Sequence, residues 1–226
     1  MFDKIVSVHI PKAAGSSLAY QFKKIYGKEQ VLDEYNDDPV NLLSICNIDP
    51  NRYIIEPIKS ISPYKVVHGH FRPHKFSNLN NAFWMTFLRH PIDNIISIYY
   101  FWKAYERHRF DSPLFQYFKD ANLSIQRFAM LPKIRYLYSR SYFGGFDMRR
   151  FDFIGDYTKY EDELTRLGNY LDIKFDMKVR VNITNNIFED SSNFNEERDT
   201  NTLKENNKLS EILKDDIQFY EKYRYK

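Results

Sequence analysis

The pattern of apolar positions opens with a short run at residues 5–10, which reads as a buried strand. Pro11-Lys12-Ala13-Ala14-Gly15-Ser16-Ser17 follows. Leu18, Phe22, Ile25 and Tyr26 then recur at helical spacing, with Gly27 as the stop. Val66-Val67-His68-Gly69-His70 predicts a second strand end, closed by Pro73. Residues 83–88 are almost continuously apolar and β-prone, as expected of a central strand covered on both faces. Arg89-His90 end that strand, and Pro91 suits the first position of a helix. That helix, over 91–102, is apolar nearly all round, with Asp93, Asn94 and Ser97 as its polar exceptions, and should be buried.

Residues 112–142 mix helical and aromatic patterns. A further strand is predicted over 151–156, and Tyr160, Leu164, Leu167 and Leu171 mark an amphipathic helix after it. Residues 182–208 are rich in Asn, Asp, Glu and Ser, the pattern of a long polar loop or a partly disordered segment. A last helix is predicted over 209–223, with Leu209, Ile212, Leu213, Ile217 and Tyr220 packing back on the core. Strands alternating with helices imply an α/β fold, a parallel sheet flanked by helices in a single domain spanning 1–226.

Composition narrows the classes. The chain has 226 residues, 43% hydrophobic and 28% charged, enough for one large core. Its net charge of +3 does not favour bulk nucleic-acid binding, so any anion site is local. The longest apolar run, about six residues, is far too short to cross a bilayer. One cysteine, Cys46, excludes an intrachain disulfide, and no signal-like leader precedes the first strand; a cytoplasmic protein is expected.

Three constellations could carry chemistry. In the loop after the first strand, Gly15 permits a tight turn. Ser16 and Ser17 bring hydroxyls and amides to a helix N-terminus, and Lys12 adds a full charge, which together make a cradle for phosphate or sulfate. It is not a Walker A loop, because the lysine precedes the glycine. An ordinary turn with Ser as N-cap is the plain alternative. Second, Arg89 stands at the carboxyl end of the apolar strand, where open α/β sheets bind ligands, and Ser97 follows eight residues on. A surface ion pair for Arg89 and a backbone bond for Ser97 are the plain alternatives. Third, His68 and His70 sit two apart in a strand and share one face, with Gly69 leaving the other open. No metal is expected, since no acidic or Cys partner at ligand spacing lies near them. His9 and His90 read as core or supporting histidines, His74 and His108 as surface ones. Arg72, His74 and Lys75 could hold an acidic sugar or form a solvated basic turn.

Taken in order, these motifs resemble a known family. His9-Ile10-Pro11-Lys12-Ala13-Ala14-Gly15-Ser16-Ser17-Leu18 resembles the 5′-phosphosulfate loop of sulfotransferases that use 3′-phosphoadenosine 5′-phosphosulfate (PAPS). Phe87-Leu88-Arg89-His90-Pro91, running to Ser97, resembles their 3′-phosphate motif, and His68-Gly69-His70 matches a His-Gly-His of the heparan-sulfate 2-O-sulfotransferase branch. Residues 151–155 and 216–221 look like that family's later strand and closing helix. Ser16 stands where Thr is usual and Asn94 where a second Arg is common. Arg140 resembles an arginine preceding a family Gly, with Lys133, Arg135 and Arg149 as weaker candidates.

The resemblance implies a P-loop-like α/β fold and metal-free, in-line sulfuryl transfer from PAPS to a hydroxyl on a sugar, glycan or small acceptor, leaving adenosine 3′,5′-bisphosphate (PAP). It implies donor contacts from Lys12, Ala14, Gly15, Ser16, Ser17, Arg89, Ser97 and Arg140, with His70 as base, His68 in support and Lys12 stabilising the leaving oxygen. An ATP-dependent kinase and a non-catalytic nucleotide-binding protein are the rival classes.

Overall fold

The computed structural model describes residues 2–179 and 207–225. Its centre is a five-stranded sheet in which every pair is parallel: β1 (Lys4–Val8), β2 (Val31–Glu34), β3 (Val66–Gly69), β4 (Ala82–Leu88) and β5 (Phe153–Asp156), in spatial order β2-β3-β1-β4-β5. All seven residues of β4 are buried, which is why its sequence is unbroken apolar rather than alternating. Register places Val6 of β1 between Val67 of β3 and Trp84 of β4.

Helices flank the sheet, as the alternating pattern requires. α1 (Gly15–Tyr26) buries Leu18, Ala19 and Phe22. Two single-turn helices, α2 (Ile45–Ile48) and α3 (Arg52–Ile55), lie between β2 and β3. α4 (Pro91–Ala104) opens on Pro91 and buries Ile92 and every residue from Asn94 to Tyr100. Then come α5 (Pro113–Asp120), α6 (Ile125–Ala129), α7 (Pro132–Arg135) and a π-helical turn at Leu137–Tyr142. α8 (Tyr160–Leu171) follows β5, and α9 (Lys214–Tyr223) closes the chain.

α9 anchors the π-helical turn. The Asp216 carboxylate accepts the Tyr138 and Ser139 amides at 2.8 and 2.9 Å and the Ser139 hydroxyl at 2.5 Å. Burial nevertheless pushes the Asp216 carboxyl up to about 6. The Tyr220 hydroxyl donates to Asp156 at 2.9 Å, tying α9 to the end of β5.

The α/β class and the parallel sheet agree with the sequence reading. β2 and the helices at 45–55 were not anticipated, since four residues are too few for a period to show. The last helix begins at 207 and is interrupted at Leu213, a fully buried residue, rather than running unbroken over 209–223. Of the predicted polar loop, residues 182–206 lie outside the described residues, and 207–208 are already helical. Among the described residues, no helix is long and apolar enough to cross a membrane.

Candidate anion loop and histidine cluster

Because every strand points the same way, the residues that follow β1, β2, β3, β4 and β5 emerge along one edge of the sheet, the usual ligand edge of such folds. The loop after β1 is the most constrained of them. Lys12 and Ala14 both take left-handed backbone angles, with φ of 65° and 60°. For residues with a side chain this costs about 1–2 kcal/mol each, so surrounding contacts must hold it. Asn94 Nδ2 donates to the Pro11 carbonyl at 2.8 Å, and Arg89 Nη1 donates to the Lys12 carbonyl at 3.2 Å.

Ala14, not a serine, is the N-cap of α1. Its carbonyl accepts the first helical bond, from Leu18 at 3.1 Å, so the amides of Gly15, Ser16 and Ser17 lie at the positive end of the helix dipole. The Lys12 ammonium lies 4.3 Å from the centre of the Phe101 ring. Gly15 is required for a reason composition did not show: a Cβ there would fall inside the His9 imidazole.

Arg89 forms the second wall. Its guanidinium lies 5.0 Å from the centre of the Tyr157 ring, after β5, and the Tyr138 hydroxyl donates to its carbonyl at 2.8 Å. Asn94 supplies no charge. It is fully buried and acts on the loop backbone instead. Ser97 is buried within α4. Arg140, two residues past Tyr138, is exposed, with its guanidinium 4.0 Å from the centre of the Tyr136 ring. The weaker candidates are engaged elsewhere: Lys133 with Asn47, Arg135 with the Ile212 carbonyl at 3.2 Å, and Arg149 with Asp147.

The third group is a cluster of three histidines. His68 is 1% exposed, with Nδ1 2.8 Å from the Ser7 hydroxyl. Its ring stacks on that of His9 at 5.2 Å. His70 is half-buried, with Nδ1 3.3 Å from Asp38 Oδ2 and Nε2 3.1 Å from His9 Nδ1. The Tyr142 hydroxyl donates to the other Asp38 oxygen at 3.3 Å, and the edge of Tyr35 meets the His70 ring at 4.9 Å. Burial, then the neighbouring His70, holds the His68 imidazole down to about 3. Burial also holds His9 well below the usual histidine range, with His70, His68 and Lys12 adding to it. Among the described residues, no group of three or more His, Cys, Asp or Glu side chains could hold a metal ion.

Some expectations need correcting. The far side of Gly69 is not open, since the Glu34 carbonyl of β2 packs where a Cβ would be. His74 is half-buried rather than a surface residue, and burial, then Arg72, lowers its pKa. The turn after His70 is not a solvated basic patch either. Lys75 pairs with Glu34 at 3.2 Å and Asp37 at 3.4 Å, and Arg72 donates to the Gly144 carbonyl at 2.7 Å. A cavity of about 390 Å³ adjoins it, lined by Cys46, Tyr53, Ile54, Arg72, His74 and Ser77 among others. Burial and Asp37 push the Cys46 thiol up to about 12, which makes it inert.

Sequence reasoning missed Asp38, Tyr35 and Tyr142 and undervalued His9. The available signal was Asp37-Asp38-Pro39, a turn that β2 would bring to the same edge as His70.

No protein-family model matches this chain, and no curated protein matches it. Four chains of solved structures match it in shape, and these include two sulfotransferases. The mouse sulfotransferase SULT7A1, complexed with PAP, is 13% identical, over 77% of this chain and 60% of that one, with a TM-score of 0.46. The sulfotransferase domain from the curacin biosynthetic pathway is 13% identical, over 78% of this chain and 76% of that one, with a TM-score of 0.38. The chain thus spans 60% of the length of the mouse protein. At 13% identity neither likeness assigns an activity or a ligand to this chain.

Proposed function

We propose that this protein is a sulfotransferase that moves a sulfuryl group from PAPS to a hydroxyl on a sugar, a glycan or a small acceptor. The observation that carries the reading is the meeting of the two anion motifs. Arg89 and Asn94 reach the backbone of the Lys12 loop at 3.2 and 2.8 Å, so two stretches some 75 residues apart form one continuous rim. The chemistry of that rim suits the donor: a lysine, helix-N-terminal amides and an arginine for phosphate and sulfate oxygens. Lys12, Ala14, Gly15, Ser16 and Ser17 would hold the 5′-phosphosulfate; Arg89, Ser97 and Arg140 the 3′-phosphate. The donor is a substrate, and no metal is assigned.

In the reaction the acceptor oxygen attacks sulfur as the bond from sulfur to the phosphate oxygen breaks, releasing PAP. Catalysis then rests on alignment and on neutralising the leaving oxygen, the role of Lys12 and the α1 amides in this reading. The histidine cluster takes the acceptor proton, with His70 backed by Asp38 and His68 held behind it by Ser7. Tyr35, 40% exposed beside the His70 ring, offers a face on which a sugar ring can stack. The lone, buried cysteine fits a reducing, cytoplasmic setting.

Thermal denaturation with PAP, 5′-AMP and Mg-ATP tests this. At one hundred times its dissociation constant a ligand adds about 2.7 kcal/mol, a rise of about 5–10 °C for a chain of this size. A rise with PAP well beyond that with 5′-AMP is expected. A rise with Mg-ATP alone would turn the assignment to a kinase; no rise with any of them would remove the donor site.

A further inference from the structure

The arrangement of the three histidines raises a question that the base assignment alone does not answer. Both ring nitrogens of His70 are already engaged inside the protein, Nδ1 by Asp38 and Nε2 by His9. His70 therefore has no nitrogen left over to meet an acceptor hydroxyl. His9 does. Its Nδ1 faces His70, while its Nε2 is buried without a hydrogen-bond partner and its ring lies on Gly15, at the mouth of the anion loop. A buried polar nitrogen left unsatisfied is costly and calls for an explanation.

Proton counting fixes the direction of the chain. An ionised Asp38 only accepts, so neutral His70 carries its proton on Nδ1 and presents a lone pair at Nε2. That lone pair must accept from His9 Nδ1–H, which leaves the bare lone pair of His9 at Nε2, on the ring that packs against Gly15. We propose that His9 is the proton acceptor of the reaction, and that His70 and Asp38 are the store behind it. The acceptor O–H bond breaks and its proton joins His9 Nε2. The proton on His9 Nδ1 passes to His70 Nε2, and the resulting imidazolium is paired with the Asp38 carboxylate. The acceptor oxygen bonds to sulfur, and the phosphosulfate S–O bond breaks towards PAP. His9 ends neutral with its proton on Nε2, and His70 holds the single positive charge. His68 also has a buried Nε2 without a hydrogen-bond partner, but its Nδ1 faces Ser7, and it is His9, not His68, whose Nδ1 reaches His70 Nε2, so only His9 is linked to the store.

The step rests on the sulfotransferase reading, but its first test does not. Long-range ¹⁵N–¹H NMR of the imidazoles in the unliganded protein at neutral pH reads the tautomers directly. Both His9 and His70 are expected to carry the proton on Nδ1; His9 protonated on Nε2 would overturn the relay whether or not PAPS is the donor. The second test is kinetic, with water as the acceptor and release of inorganic sulfate from PAPS as the readout. Asn at position 9 keeps an amide that can donate to His70 Nε2 but has nothing at the Nε2 position, so His9→Asn separates relay from positioning. H9N is expected to lose about a hundredfold or more in rate with unchanged PAP affinity. Rates within threefold of wild type in H9N would show that His9 merely orients His70. If PAP binds but wild type releases no sulfate, the tautomers decide the relay alone. If PAP does not bind at all, the donor assignment fails while the tautomer result stands.

Discussion

The loop after β1 and the segment at the end of β3 lie on the same edge of one sheet, yet their chemistry is built in opposite ways. In the loop, the groups the proposed donor would meet are mostly backbone: amides at the start of α1, and a chain path set by left-handed Lys12 and Ala14. At the end of β3 they are side chains from three separate strand ends, His9, Asp38 and His70, joined by hydrogen bonds of 3.1 and 3.3 Å. A site made of local backbone shows itself in a short motif. A site made of distant side chains appears only when the sheet brings them together. Gly15 is where the two meet, since the His9 ring occupies the space its side chain would need.

Substitutions can separate the two regions. The largest effect is expected from His70→Ala, which removes the proton store. Turnover of PAPS should fall by about two to four decades with little change in PAP affinity, measured by calorimetry. Near-wild-type turnover would take the cluster out of the chemistry. Lys12→Ala should lower both donor affinity and rate, by about tenfold to a hundredfold each, whereas a purely structural loop would lose Tm alone.

Arg89→Ala should weaken PAP binding by about tenfold to a hundredfold, as expected when a hydrogen bond to a charged group is lost, and leave 5′-AMP binding almost unchanged. Equal losses for the two nucleotides would place Arg89 elsewhere on the donor. Gly15→Ala strikes both regions at once. Forcing the His9 ring aside should cost about 1–3 kcal/mol, read as a lower melting temperature. An unaltered Tm would show that the ring moves freely.

The smallest effect lies farther back, where Asp216 holds Tyr138 and Tyr138 holds the Arg89 carbonyl. The folded Asp216 carboxyl titrates near 6, above its usual 3.8, so the native state holds the proton more tightly than the unfolded chain. Stability from this group is therefore present at low pH and falls as pH rises from about 4 to 6. Wild type should lose stability relative to Asp216→Asn over that window in denaturant titrations. A parallel pH dependence of the two proteins would contradict it.

Much of the fold and part of the site were legible in the sequence. Ile5-Val6, the run at 83–88 and the helical spacing after each loop reveal buried strands and amphipathic helices, because burial on a sheet or helix imposes its own period on the chain. The helix start at Gly15 was legible for the same reason: glycine and small hydroxylic residues before an amphipathic run are local geometry written in residue type. Tyr142 was not, because nothing within its own segment marks it as a neighbour of His70, and Asp38 was marked only through β2, a strand of four residues too short to show a period. Nor could residue order reveal that Lys75 is tied into an ion-pair group, that Asn94 braces the Pro11 backbone, or that His9 fills the space above Gly15. The sequence alone determined the longer strands and helices and the α/β class. Only the tertiary structure decided which nitrogen faces which carboxylate, because hydrogen bonds are specific to atoms a few ångströms apart, and parallel strands bring such atoms together from positions 32 and 61 residues apart.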